Sequence, residues 1–393
     1  MLFLESLRLD GLLSFSPGAK AIPLTPLNVL IGPNGAGKSN LLEAVELLRA
    51  TPTAFTTAIR DGGGVKEWLW KGQDGKGQAV MEAVVKAKKP IPDLRYRLVF
   101  APSGQRTEVL DEVIEEREKR FPNEQDVFFY YRFQSGRPIL NIRNTSGKYT
   151  HRGLKREDIV PDESVLSQRK GSDVYPEITW LGQQFSRIQT FREWSFGRYA
   201  PVRQPQPADL PSDILLPDSR NLGLILNEVE HTDSAPEFNR LLSRFLPRYH
   251  RFSTRIQGGT VQFYLHENGL SAPIPATRLS DGTIRFLAML ALLLSPNPPP
   301  LLCMEEPELG LHPDAVSLLA DWLVDAATRT QLIVTTHSDA LISALTDHAD
   351  SVLVCENQGG TVLRRVDSEQ IVHWLKKYRL GEIWRIGELG GNP

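Results

Sequence analysis

The chain has 393 residues, 41% of them hydrophobic and 23% charged, with a formal net charge of −2. That is the composition of a soluble globular protein, one large domain or two to three smaller ones, and it excludes a global basic field. The two cysteines, Cys303 and Cys355, lack metal-site spacing, the start MLFLESLRLDG lacks a basic n-region and cleavage site, and no apolar run nears the ~20 residues of a membrane span. These features predict a cytoplasmic protein with buried, reduced thiols and no membrane contact.

Residues 2–15 alternate weakly and read as a strand leading toward a second, apolar strand at Leu27 to Ile31. Gly32-Pro33-Asn34-Gly35-Ala36-Gly37-Lys38-Ser39 follows, a G-x-x-x-x-G-K-S phosphate loop, and then a helical pattern to about Ala50. Strand, glycine loop and helix in that order are the context the motif needs. Glycines let successive backbone N–H groups turn toward phosphate oxygens, and the helix adds the positive end of its dipole. Lys38 is placed to reach the β- and γ-phosphates of ATP and the Ser39 hydroxyl to ligate Mg²⁺. The other reading of the stretch is a glycine turn that binds nothing.

Residues 78–150 read as an antiparallel meander: Ala79 to Ala87, Leu94 to Ala101, Thr107 to Glu115, Val127 to Phe133 and Pro138 to Arg143. Helical spacing returns from about Arg152 to Arg187, Ile188 to Phe196 reads as a strand, and Pro201 to Pro217 as a linker. Two short helices, Leu222 to Val229 and Phe238 to Phe245, precede a hairpin around Gly258-Gly259. The stretch Arg240 to Arg255 includes Arg240, Arg244, Arg248, Arg251 and Arg255, no acids, and interleaved aromatics. It is either a nucleic-acid surface acting through charge and stacking, or a solvated amphipathic element whose Leu and Phe face the core.

After Pro275 strand and helix alternate to about Val366, which predicts a parallel sheet. The strand at Leu27 to Ile31 must join it, so the nucleotide fold is split by an insertion. Leu301 to Met304 ends in Glu305-Glu306-Pro307, and acids at the C-terminal end of a parallel strand face the ligand crevice. Glu305 is placed to hold Mg²⁺ and Glu306 to polarise the attacking water. Thr336-His337-Ser338 closes the next strand, with His337 set toward a γ-phosphate. Leu279-Ser280-Asp281-Gly282-Thr283 precedes a helix, where Ser280 reads as an N-cap or as part of a second anion site.

Taken together, these motifs resemble an ABC-type ATPase of the RecF/SMC/OLD group. GPNGAGKSN resembles its Walker A, LSDGTIR its signature, LCMEEPE its Walker B, LGLHP its D-loop and TTHS its switch-histidine loop, in the family order. The resemblance covers residues 1–50 and 275–366 closely. It implies an α/β fold, a split ABC-type P-loop ATPase head with a mixed sheet flanked by helices and a β-rich and helical insertion. The expected division is 1–77 and 275–393 for the head, 78–150 for the β-rich insertion and 151–274 for a helical and mixed one.

The resemblance also implies roles. Asn34, Gly35, Gly37, Lys38, Ser39 and Asn40 would hold ATP, Ser39 and Glu305 Mg²⁺, Glu306 the catalytic base position and His337 that of the γ-phosphate sensor. Ser280 and Gly282 would contact ATP held by a second copy in a head-to-tail homodimer. Thr283 stands where the signature usually has Gln, His312 where transporter D-loops have Asp, and Val202-Arg203-Gln204 is the candidate Q-loop, with a linker as the other reading. SMC coiled coil is absent from the insertion, and the 56 residues after His337 are too few for a Toprim domain. The expected function is ATP hydrolysis coupled to DNA repair or defence against foreign DNA, with a separate effector or nuclease protein. A transporter ATPase subunit and a slow-hydrolysing scaffold are the alternatives.

Overall fold

A computed structural model describes residues 1–134, 136–144 and 147–390. The chain opens with β1 (Leu4–Asp10), β2 (Ile22–Pro23), β3 (Leu27–Ile31), α1 (Lys38–Ala50), α2 (Phe55–Asp61) and α3 (Val65–Trp68). A run of strands follows: β4 (Ala79–Val85), β5 (Leu94–Ser103), β6 (Arg106–Glu116), β7 (Phe129–Gln134), β8 (Arg137–Arg143) and β9 (Tyr149–Gly153). Next come α4 (Val165–Gln168), α5 (Pro176–Ser186), β10 (Gln189–Phe191), β11 (Gln206–Pro207), α6 (Leu222–Glu230) and α7 (Ala235–Phe245). The hairpin β12 (Tyr249–Gln257) and β13 (Thr260–Glu267) leads through β14 (Ile274–Pro275) to α8 (Asp281–Leu293). The last third alternates: β15 (Leu301–Glu305), α9 (Pro313–Ala326), β16 (Gln331–Thr335), α10 (Asp339–Ala344), β17 (Val352–Asn357) and β18 (Thr361–Arg365).

The central sheet has the order β10-β15-β16-β3-β17-β18, parallel except for the final pair. β3 and β16 are buried at every position. That explains their mainly apolar sequences, Leu-Asn-Val-Leu-Ile and Gln-Leu-Ile-Val-Thr: strands covered on both faces have no solvent-facing polar side. β3 thus joins strands that lie some 300 residues later in the chain, as the split fold requires.

β1, the strand expected ahead of the phosphate-loop strand, pairs antiparallel with β2 and β4 rather than with β3. Its alternating sequence suits a half-buried antiparallel sheet, whereas β3 is buried at every position. The meander is therefore one eight-stranded sheet, β2-β1-β4-β5-β6-β7-β8-β9, and it runs across the expected division at residue 77. The buried Gln331 ties the two sheets: its Nε2 donates to Leu4 O (2.8 Å) and Thr25 O (3.0 Å), and its Oε1 accepts from Leu4 N (2.7 Å).

Two cores flank the central sheet. Leu30, Cys303, Ile333 and Leu353 face α1, α5 and the meander, while Val29, Ile31, Leu302, Met304 and Val334 face α8 and its neighbours. The period-two alternation of the strands assigns these faces. α1 lies in the first core, with Leu41, Leu42, Ala44, Val45, Leu47 and Leu48 fully buried. Its first residue, Lys38, is buried with them.

A buried polar knot joins the meander to α4. Glu112 Oε1 accepts from Tyr96 Oη (2.9 Å) and Ser164 Oγ, Glu112 Oε2 accepts from Val165 N (2.8 Å), and Ser164 caps α4. Burial pushes the Glu112 carboxyl up to about 7 despite these donors. The folded state therefore holds its proton over a window in which an unfolded glutamate has lost it. The contribution of Glu112 to stability falls as pH rises from about 4.5 to about 7 and is level above that, a change of up to about 3 kcal/mol. Denaturant unfolding of Glu112→Gln should show a flatter pH dependence than the parent in that window. Equal slopes would refute the assignment.

Candidate functional site

The phosphate loop leaves the end of β3 and enters α1 through positive-φ glycines, Gly32 (145°), Gly35 (77°) and Gly37 (103°). Two of them are also forced by close approach. A Cβ on Gly32 would lie 2.2 Å from Cys355 O, and one on Gly37 2.0 Å from Thr361 Oγ1. Thr361 Oγ1 donates to Ala36 O (2.9 Å) and Cys355 Sγ to the same oxygen (3.1 Å), so β17 and β18 clamp the loop from outside. No side chain caps α1 at Gly37 and no acid lies in its first turn. The first amides and the dipole of a 13-residue helix therefore face the loop. Asn34 and Gly35 form the exposed rim, and Asn40 is half-buried in the first turn.

Lys38 is buried, and its Nζ donates to Gly32 O (2.8 Å) and Pro33 O (3.0 Å). Burial lowers the ammonium from its ordinary range, opposed by Cys355, Glu306 and Glu305. Ser39 Oγ donates to Glu305 Oε1, joining groups 266 residues apart in the chain. β15 carries Glu305 at its last position, where the crevice opens. The other oxygen, Glu305 Oε2, accepts from Arg192 Nε (3.2 Å), whose Nη1 reaches Glu46 Oε2 (3.0 Å) on α1.

Glu306 lies just beyond the strand with φ of 45°, a left-handed conformation unusual for a residue with a side chain. Its Oε1 stands 3.7 Å from His337 Nε2. Burial and the Lys38 ammonium pull His337 below its usual range, against Glu306, so the imidazole is neutral at neutral pH. Glu308, two residues on, is buried and accepts from Thr336 Oγ1, which ties the turn after Glu306 to the turn carrying His337.

Lys38, Ser39, Glu305, Glu306 and His337 thus meet at one end of the central sheet. Ser280 and Gly282 do not hydrogen-bond there. Ser280 is exposed and caps α8, accepting from Thr283 N (3.0 Å), so the capping expectation is realised. Gly282 packs on the turn after Glu308, since a Cβ there would lie 2.8 Å from Gly310 O. His312 caps α9.

Val202 and Arg203 lie on a one-turn helix (Pro201–Arg203) that Gln204 follows in an extended conformation, and Arg203 is buried, with its guanidinium bonded to Phe196 O (2.8 Å), Ala276 O (3.1 Å), Leu279 O (2.6 Å) and the Asp281 carboxylate. It braces the turn of Ser280 rather than the acid pair. The segment beside the acid pair is 192–196. β10 runs parallel to β15 with Phe191 opposite Met304, which brings Arg192 level with Glu305. Arg192 lies within the strand expected from Ile188 to Phe196 and outside every expected motif. The signal was present: a residue at the C-terminal end of a parallel strand faces the crevice.

Oxygen donors from one hydroxyl and one carboxylate suit Mg²⁺, which keeps waters and phosphate oxygens as its other ligands. Among the described residues there is no group of three or more His, Cys, Asp or Glu arranged to hold a metal ion by themselves. No helix among them is long and apolar enough to cross a membrane.

Residues 27–343 match the family described as "AAA domain, putative AbiEii toxin, Type IV TA system". The Old nuclease of Escherichia phage P2 is 38% identical over 77 residues, which are 19% of this chain and 13% of that protein. Among solved structures, an Smc head bound to the C-winged helix domain of ScpA matches with a TM-score of 0.60 at 14% identity, over 94% of this chain and 99% of that one. An Smc head with an extended coiled coil, bound to the C-terminal domain of ScpA derived from Pyrococcus furiosus, matches at 0.59 and 13%, over 96% and 99%. At such identities the likeness concerns the fold. The chain belongs to this AAA-domain family, and its fold is that of the Smc heads.

Proposed function

We propose that the chain binds and hydrolyses ATP with Mg²⁺, and that two copies close head-to-tail around two nucleotides. The observation that carries this reading is the convergence of Ser39 on Glu305 and of His337 on Glu306 beside Lys38. The loop amides and Lys38 bind the phosphates, and Asn34, Gly35, Gly37 and Asn40 shape the cradle. Ser39 and Glu305 hold Mg²⁺, which supplies charge neutralisation of the phosphoryl oxygens. Glu306 accepts a proton from, or orients, the attacking water, and neutral His337 donates toward the γ-phosphate. Ser280 and Gly282, exposed and half-buried on their own chain, face the nucleotide of the second copy.

The chain would deliver the closing and opening motion to DNA repair or to defence against foreign DNA, through a separate effector. The name of the phage P2 relative and the family description support that direction. Phosphate release by the purified chain, compared with its Lys38→Ala variant, is the test. Equal release from both would overturn the proposal.

A second reading concerns nucleic acid, and the exposure of Arg240, Arg244, Arg248, Arg251 and Arg255 on α7, β12 and the turn between them favours it. Two of the five already have acidic partners: Arg240 pairs with Glu237, and Arg248 Nη2 lies 2.8 Å from Glu267. Arg244, Arg251 and Arg255 should therefore carry more of any phosphate contact. Replacing these three with glutamine should reduce the log–log salt slope of DNA binding by about 2–3. Salt-independent binding by the parent would remove this surface from the function.

A further inference from the structure

Glu306 combines a left-handed backbone, φ 45°, with the role proposed for it, and such a conformation persists only where neighbours hold it. Both of its peptide groups are held. Glu306 N donates to Thr335 O (3.0 Å), and Glu306 O accepts from Arg285 Nη1 (3.4 Å). The preceding carbonyl, Glu305 O, accepts from Trp194 Nε1 (2.9 Å). Arg285 and Trp194 support each other, the guanidinium lying 5.6 Å from the Trp194 ring centroid and 5.8 Å from that of Phe196. Trp194 is itself stacked on Phe191 at 5.5 Å.

Arg285 stands on α8, a little more than one turn beyond Ser280 and a little less than one beyond Gly282. The start of that helix is fixed to the rest of the site, Asp281 through the buried Arg203 and Gly282 through its packing on Gly310. Arg203 also holds Phe196 O, at the end of the segment that carries Trp194. One stiff helix therefore links the turn of Ser280 to the backbone of Glu306 in the same chain.

We propose that Arg285 is a positioning residue that holds the left-handed backbone of Glu306, and that through α8 it couples the turn of Ser280 to that carboxylate. The inference rests on Glu306 acting as the base. Contact of the Ser280 turn with the second copy's nucleotide is then felt at Glu306, because α8 cannot shift without moving Arg285. A purely structural arginine would support folding without regard to what Glu306 does.

The test is a double-mutant cycle on the full chain, reading single-turnover ATP hydrolysis, ATP affinity by calorimetry and thermal unfolding. Arg285→Met should lower kcat by about 10- to 100-fold while ATP affinity stays within about twofold, because misplacing a base costs rate rather than binding. Arg285→Lys keeps the charge but not the planar donor, and should recover part of the loss. Trp194→Phe keeps the ring and removes the donor to Glu305 O, and should give a smaller fall. In a Glu306→Gln background, Arg285→Met should change the residual rate by less than about twofold, since both act through one carboxylate. A full additional loss there, or parent-like turnover by Arg285→Met, would overturn the proposal. If Arg285→Met unfolds, Arg285→Lys decides: unchanged kcat would overturn the proposal too. Failure of the base assignment has its own signature, parent-rate hydrolysis by Glu306→Gln alone.

Discussion

Glu306→Gln is expected to bind ATP as the parent does and to hydrolyse it about 10²- to 10⁴-fold more slowly. Glutamine keeps the shape of the side chain and its backbone environment, so the hydrogen bonds at Glu306 N and O persist. What is lost is the negative charge beside His337 and the capacity to take a proton. In the proposed dimer the Ser280 turn of each copy completes the other's site, so stalled hydrolysis also stalls reopening. The variant should accumulate as an ATP-bound dimer, seen by light scattering with ATP and Mg²⁺. Adding Ser280→Arg places a long side chain on the exposed first turn of α8 and should abolish that dimer. The same substitution removes the cap on Thr283 N, at a cost of about 1 kcal/mol, so thermal unfolding is measured alongside. A Glu306→Gln protein that stays monomeric at saturating ATP would contradict the closed dimer. One that turns over at the parent rate would take Glu306 out of the chemistry.

Lys38→Ala should weaken ATP binding by about 10²-fold or more, the loss of charge-assisted hydrogen bonds worth about 1.5–3 kcal/mol each. The remaining donors, backbone amides of the loop and of the first turn of α1, carry only partial charge. A second effect adds to the first. Lys38 Nζ bonds the carbonyls of Gly32 and Pro33, so its removal also frees the loop that presents those amides. Titration calorimetry decides the matter, and equal affinity of variant and parent would remove Lys38 from the site. Thermal unfolding in the absence of nucleotide should change far less, because the loop is anchored independently by Thr361 and Cys355.

The central strands were legible because burial on both faces favours mainly apolar sequence, as at Leu27 to Ile31 and Gln331 to Thr335. Most of the meander was legible because alternation and turn residues mark its strands locally, whereas the edge strand β9, expected as the approach to a helix, was not. The destination of β1 was not, since weak alternation says how a strand is exposed but not which neighbour it takes. The arginine stretch illustrates the same limit. Five positive charges can be counted in the sequence, yet only the fold shows that Glu237 and Glu267 already engage two of them.

The sequence by itself determined the phosphate loop, the acid pair and the switch-histidine turn, because each is a short run whose residue types carry their own chemistry. It also determined that the nucleotide fold is split, since a parallel sheet needs the early strand at Leu27. Only the tertiary structure decided which side chains stand behind those motifs. Arg192 and Trp194 belong to no motif, Arg203 and Arg285 lie in stretches (Val202-Arg203-Gln204 and LSDGTIR) whose residue types do not announce these contacts, and the spacing of the four to Glu305 and Glu306 ranges from about twenty to more than a hundred positions along the chain. The bonds that join them depend on β10 lying in register beside β15 and on α8 returning across the same end of the sheet. Such contacts arise from packing between distant segments, and no local pattern of residues encodes them.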